Sequence, residues 1–174
     1  PAKVAEYRLI GYETRMLKRE DFNNDKIDAG DIGSGHTVTA IYEITPVGNP
    51  SQALVDELRY QTESTPKEAV KASEANEYAF LKIRYKLPKE DKSKLLELAI
   101  DDKLELASLD DAADDIRFAA SVAGFGQLIK QGHYSTELNY NELIKLAQDS
   151  RGKDEFGYRS EFLQLIRLAK SLSK

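Results

Sequence analysis

The chain of 174 residues contains no cysteine. That excludes disulfides, thiol nucleophiles and thiolate metal sites at once, and leaves the compartment open. Only two histidines are present, His36 and His133, and neither stands in a Ser–His–Asp or His-rich spacing. There is no excess of positive charge either: the formal charge is −5. Without a basic field to hold a phosphate backbone, nucleic acid is excluded as an expected partner, and an anionic membrane surface is disfavoured for the same reason. No apolar run approaches the roughly 20 residues that span a bilayer, and the N-terminus shows no charged-then-apolar leader pattern. The start at Pro1, without a methionine, suggests a fragment or a processed product.

With 41% hydrophobic residues, the length suits one domain or two small ones with a proper core. From Val4 to Glu13 the sequence VAEYRLIGYE alternates Tyr7, Leu9 and Gly11 against Arg8, Ile10 and Tyr12, a strand pattern. HTVTAIYEITPV repeats it, with Val38, Ala40, Tyr42 and Ile44 on one face, and Pro46 ends the ladder for want of an N–H. Residues 48–76 form a polar insertion in which only LVDELRY offers a short edge strand. In YAFLKIRYKLP, Ile83, Tyr85 and Leu87 alternate with Lys82, Arg84 and Lys86, and KLLELAI returns as the hairpin partner across the polar turn PKEDKS.

Past residue 107 the apolar period changes from two to about 3.6. Ser108 or Asp110 can cap a first helix that is apolar nearly all round and therefore expected to be central. Asn139 and Glu142 have capping-box spacing before YNELIKLAQDS, which Gly152 closes. A third helix spans about Glu155 to Leu172, with Phe162, Leu165, Ile166 and Ala169 at one-face spacing. Arg159 is placed to pair with Glu155 four residues earlier, and Phe156 and Tyr158 to pack between helix and sheet. Strands followed by helices argue an α+β fold: an antiparallel sheet or partial sandwich of four to five strands, then three helices. The expected organisation is a β-rich subdomain 1–107 and a helical subdomain 108–174 packed on it as one compact unit.

The chemistry-bearing stretch is DFNNDKIDAGDIG, the acidic loop 21–33. Asp21, Asn23 and Asp25 have the one, three, five spacing of calcium loops, and Asp28 or Asp31 could be recruited if Gly30 turns the chain back. Lys26 stands where such loops place glycine, and Ile32 where they place an acidic ligand. The competing reading is a series of Asx turns that steer the chain into the next strand, with charge relieved by Arg15, Lys18, Arg19 or Lys26, or by solvent. His36 opens a strand beside the loop and is expected to bond to the turn; a hydrolase built on it lacks a placed nucleophile. The glycines of GDIGSG precede no helix, which excludes a phosphate loop. The run DDAADD suits the first turn of a helix.

YRLIGYETRMLKREDFNNDKIDAGDIGSGHTVTAIYEI, LKIRYKLP, RFAASVAGFGQLIK and GYRSEFLQLIRLA, in that order, resemble the C-terminal domain that follows a von Willebrand factor type A domain in bacterial envelope proteins. Several of those proteins are predicted lipoproteins. The resemblance runs from near Val4 to near Lys170, interrupted by the polar insertion. It implies context more than activity, because the appended domain has no established chemistry and the acidic loop no agreed role. What it implies is a non-enzymatic accessory or protein-interaction domain with an upstream type A domain as partner in the same chain. The implied location is the cell envelope, on the periplasmic side and lipoprotein-anchored. The alternative is a calcium-stabilised module, with the cation held by Asp21, Asn23, Asp25 and Asp28 or Asp31.

Overall fold

A computed structural model describes residues 1, 3–12, 18–27, 30–48, 76–130 and 138–173. They form two compact units, Pro1–Glu105 and Leu106–Lys174. The architecture is α+β: strands occupy the first unit and α-helices the second. Of the expected sheet or partial sandwich, the described residues form four strands, in two separate two-stranded antiparallel sheets. LVDELRY, the candidate edge strand, lies outside the described residues.

Strand β1, Val4–Ile10, pairs with β2, Ile41–Pro46. The sequence pattern continues to Glu13, but the strand stops at Ile10 because Gly11 (φ +77°) and Tyr12 (φ +60°) both turn left-handed. That early end also sets where β2 begins. Ile10 faces Ile41, so His36 to Ala40 have no β1 residue opposite them and remain outside the strand despite their alternation. Pro46, opposite Val4, ends the ladder, and beyond it the Val47 amide still donates to the Lys3 carbonyl at 2.9 Å.

Strand β3, Glu77–Tyr85, pairs with β4, Lys94–Asp101, and the register sorts the side chains by chemistry. Leu81 faces Leu98 and Ile83 faces Leu96, while Tyr85 closes the same side. The other side carries Lys82 opposite Glu97 and Arg84 opposite Leu95, with Lys82 Nζ 3.3 Å from the Glu97 carboxylate. Lys89 takes positive φ (+67°) in the connecting turn, and the Glu90 amide donates to the Leu87 carbonyl.

In the second unit a 3-10 turn, Leu109–Asp111, precedes helix α1, Asp114–Lys130. Ser108 donates through both its amide and its hydroxyl to the Asp111 carboxylate, so the expected cap closes the short turn and not the long helix. Extended backbone at Ala112 (φ −77°, ψ 153°) separates the two. Helix α2, Tyr140–Asp149, is capped by Asn139, whose side chain accepts from the Glu142 amide at 3.0 Å. Helix α3, Tyr158–Leu172, starts three residues later than its apolar pattern suggests, because Gly157 is left-handed (φ +76°).

The core of this unit joins Ala147 from α2 with Leu163 and Ile166 from α3, packed against Phe118, Phe125, Tyr140, Ile144 and Phe162. Phe162 meets Phe118 and Phe125 edge-on, with ring centroids 5.4 Å and 5.5 Å away. Gly124 allows a close approach between helices, since a Cβ there would lie 2.7 Å from a Leu143 methyl. Helix α1 is not buried all round as its composition suggests: Ile116, Val122 and Ile129 are exposed. Its inward face is the narrower one that carries Phe118, Ser121 and Phe125.

Candidate functional site

The acidic loop does fold as a turn-rich segment. Asp21 and Asn23 lie in a 3-10 helix, Arg19–Asn23, with Asp25 just beyond it. The Asn24 side chain accepts from the Lys26 amide at 3.1 Å, an Asx turn, and the Asn24 carbonyl accepts from the Ile27 amide. Among the described residues no group of three or more His, Cys, Asp or Glu side chains could hold a metal ion. Asp31 is exposed, and Asp28 lies outside the described residues.

What the loop does hold is a protein cation. Arg84, from β3, places Nη2 2.7 Å from the Asp25 carboxylate and Nη1 3.0 Å from the Asn23 side-chain oxygen. Its Nε donates to the Ser93 hydroxyl at 3.0 Å, while the Ser93 amide donates to Asp25 at 3.4 Å. Lys86 donates to the Asp25 backbone carbonyl. Hydrogen bonding from Ser93 above all, with Arg84 adding to it, holds the Asp25 carboxyl below the usual carboxylate range despite partial desolvation.

Two residues of the calcium-type spacing are thus engaged by a guanidinium, whose planar donors suit a carboxylate and an amide oxygen together. The cation comes from far along the chain, Arg84 being 59 residues from Asp25; of the expected local cations, Arg15 lies outside the described residues. The available signal was the alternation of Lys82, Arg84 and Lys86 along β3 and just past its end, which puts basic groups on one face of the hairpin.

A second polar tie joins the hairpins of the first unit. Lys3 Nζ lies 3.4 Å from Asp102 and 5.0 Å from the Tyr78 ring centroid. Tyr78 donates to Glu105 at 2.6 Å, which, with the nearby carboxylate charges, raises its pKa. His36 is exposed; its ring Nδ1 lies 3.3 Å from the Ser34 carbonyl, the turn contact expected of it. His133 lies outside the described residues.

The apolar side of the β3–β4 hairpin is the other conspicuous feature. Leu81, Ile83, Tyr85, Leu96 and Leu98 form a ladder in which each side chain is 38% to 47% exposed. No described residue of the first unit is buried. In the second unit Phe156 and Tyr158 are 78% and 72% exposed, with ring centroids 6.0 Å apart. Arg159 turns away from its expected partner Glu155. It pairs with Asp115, stacks 4.7 Å from the Phe118 ring centroid and donates to the Arg151 carbonyl.

Residues 1–172 match the family described as "Uncharacterized protein YfbK, C-terminal". The chain belongs to that family. Over 169 residues it is 40% identical to "Uncharacterized protein YfbK" of Escherichia coli (strain K12), a match that takes in 97% of this chain. The same match covers 28% of that protein, so the chain spans under a third of its relative's length. No solved structure matches it. Among the described residues no helix is long and apolar enough to cross a membrane.

Proposed function

We propose that this is a non-enzymatic interaction domain at the C-terminus of a bacterial von Willebrand factor type A protein of the cell envelope. The observation that carries the reading is the open apolar ladder of β3 and β4 in a unit none of whose described residues is buried. A two-stranded hairpin is marginal in water by itself. An apolar sheet face of this kind gains its stability when something covers it. The family relationship supports the setting, because the related protein is more than three times longer than the matched segment. In this reading the type A domain supplies any metal-dependent adhesion, the appended domain modulates or positions it, and a lipid anchor elsewhere in the chain holds both at the periplasmic side.

The calcium-stabilised alternative has less support, since Asp25 and Asn23 already engage Arg84. The test is a comparison of the full-length protein with a form lacking this domain, assayed for adhesion of the type A domain to its ligands and screened against generic ester, phosphate and peptide substrates. Altered adhesion without turnover is the expected result. Turnover that depends on Asp25 or His36 would overturn the reading.

A further inference from the structure

Between α2 and α3 of the helical unit lies an open hollow of about 480 Å³ with polar walls. One wall is a single face of α3, where Ser160, Gln164 and Arg167 follow one another at spacings of four and three residues over the buried Leu163. The other is made by Gln148 and Asp149 at the end of α2 and by Arg151 just beyond it. Two hydrogen bonds join the walls: Arg151 Nη1 donates to the Ser160 hydroxyl and Arg167 Nη2 to the Gln148 side-chain oxygen, each at 3.3 Å. These arginines differ from the other two of the unit. Arg117 pairs with Asp110 and Asp114, and Arg159 with Asp115, whereas Arg151 and Arg167 are positioned by neutral oxygens. A neutral acceptor fixes where a guanidinium stands without cancelling its charge, and leaves most of its five N–H donors for something else. Asp154, held ionised above all by the Ser160 hydroxyl, meets the Arg151 charge only at longer range, because its oxygens already accept from Ser160 and the Arg159 amide. Asp149 has no ion pair among the described residues.

We propose that this hollow binds a small zwitterion of amino-acid or dipeptide size, its carboxylate taken by Arg151 and Arg167 and its ammonium by Asp149. The planar donors of a guanidinium match a carboxylate, and two of them without an acidic partner line one hollow. The unpaired carboxylate beside them selects the rest of the ligand: it would repel a phosphate dianion but attracts an ammonium group. Gln148 and Gln164 add amide donors and acceptors that suit a peptide group. Both arginines and Asp149 are exposed, so a ligand reaches them without opening the fold. The site belongs to the helical unit and owes nothing to the β3–β4 ladder.

The test titrates the dipeptide Ala-Ala into the isotope-labelled 174-residue chain and follows the Nε–Hε signals of Arg151 and Arg167 and the Ser160 amide by nuclear magnetic resonance. Saturable shifts at all three are expected. Binding should be about tenfold weaker for N-acetyl-Ala-Ala, which lacks the ammonium, and for the amide of Ala-Ala, which lacks the carboxylate. Arg151→Gln and Arg167→Gln should each weaken Ala-Ala about tenfold as well, while Asp149→Asn should weaken Ala-Ala and leave N-acetyl-Ala-Ala unchanged. The ligand series needs no variant, so it decides even where a substitution disturbs the helices. Absence of a saturable shift with any of the three peptides would overturn the proposal. Tighter binding of inorganic phosphate than of Ala-Ala would overturn the ligand class, and Ala-Ala binding that survives replacement of both arginines would overturn the site.

Discussion

The two units achieve order by different means. In Leu106–Lys174 three helices bury a small core, with Ile166 and Ala147 at 0% exposure and four aromatic rings packed around them. In Pro1–Glu105 strand pairing and two polar ties connect the described elements, and the apolar side chains remain in contact with solvent. Exposed ion pairs contribute little, about 0–1 kcal/mol each, whereas burying one large aliphatic side chain contributes about 1.5–3 kcal/mol. The helical unit therefore carries its own stability, and the strand unit has its largest reserve in surface that a partner would cover.

The strongest way to break this comparison is to remove the helical core. Ile166→Ala should destabilise the helical unit by about 2–5 kcal/mol, read as a lower midpoint in thermal unfolding followed by far-ultraviolet circular dichroism. A change of a few tenths would mean that the core is not where its stability lies.

Asp154→Asn comes next. Asp154 accepts from the Arg159 amide at 3.2 Å, the Ser160 amide at 2.8 Å and the Ser160 hydroxyl at 2.7 Å, fixing the start of α3. The Ser160 hydroxyl above all, with both amides, holds its carboxyl below 3.8, the ordinary value for aspartate. A carboxyl lowered in the folded state stabilises fully above its unfolded pKa, and that contribution is lost as pH falls through the folded value. The variant should therefore melt earlier than the parent at neutral pH, with the difference shrinking below pH 3.8. A difference that persists undiminished in acid would rule out the carboxylate as its source.

A smaller, local effect is expected of Arg84→Met. Freed of its guanidinium, the loop around Asp25 should show faster amide exchange at Lys26 and Ile27, while the helical melting transition stays in place. If calcium bound the parent protein saturably and Asp25→Ala abolished it, the tethered-cation account of the loop would fail. Least of all is expected from Leu96→Ala in the 174-residue chain, about 0.5 kcal/mol, because nearly half of that side chain is already in water. The same substitution should cost distinctly more in the full-length protein, where the proposed partner covers the ladder.

Much of this difference could be seen in the sequence, because it follows from local chemistry. The alternation in YAFLKIRY and KLLELAI gave the hairpin and its apolar side, and Asn139 with Glu142 gave the start of α2. Other features depended on residues far apart in the chain. β2 starts at Ile41 because its partner β1 ends at Ile10, and Asp25 answers to Arg84 across 59 residues. Arg159 found Asp115, 44 residues away, and not Glu155, which lies before the start of α3. Spacing rules describe neighbours along one element; they carry no information on which face another element brings near. The low burial of the hairpin faces was equally hidden, since an apolar alternation announces a face to be covered and not what covers it.

The most direct test of the contrast between the units is amide hydrogen exchange on the 174-residue chain, resolved by residue. Slow exchange in α2 and the middle of α3, approaching the global unfolding limit, with much faster exchange across the paired amides of β3 and β4, is the predicted pattern. Equal protection in the hairpin and the helices would contradict it, because strands held only by pairing and exposed ion pairs would then be as stable as a packed helical core.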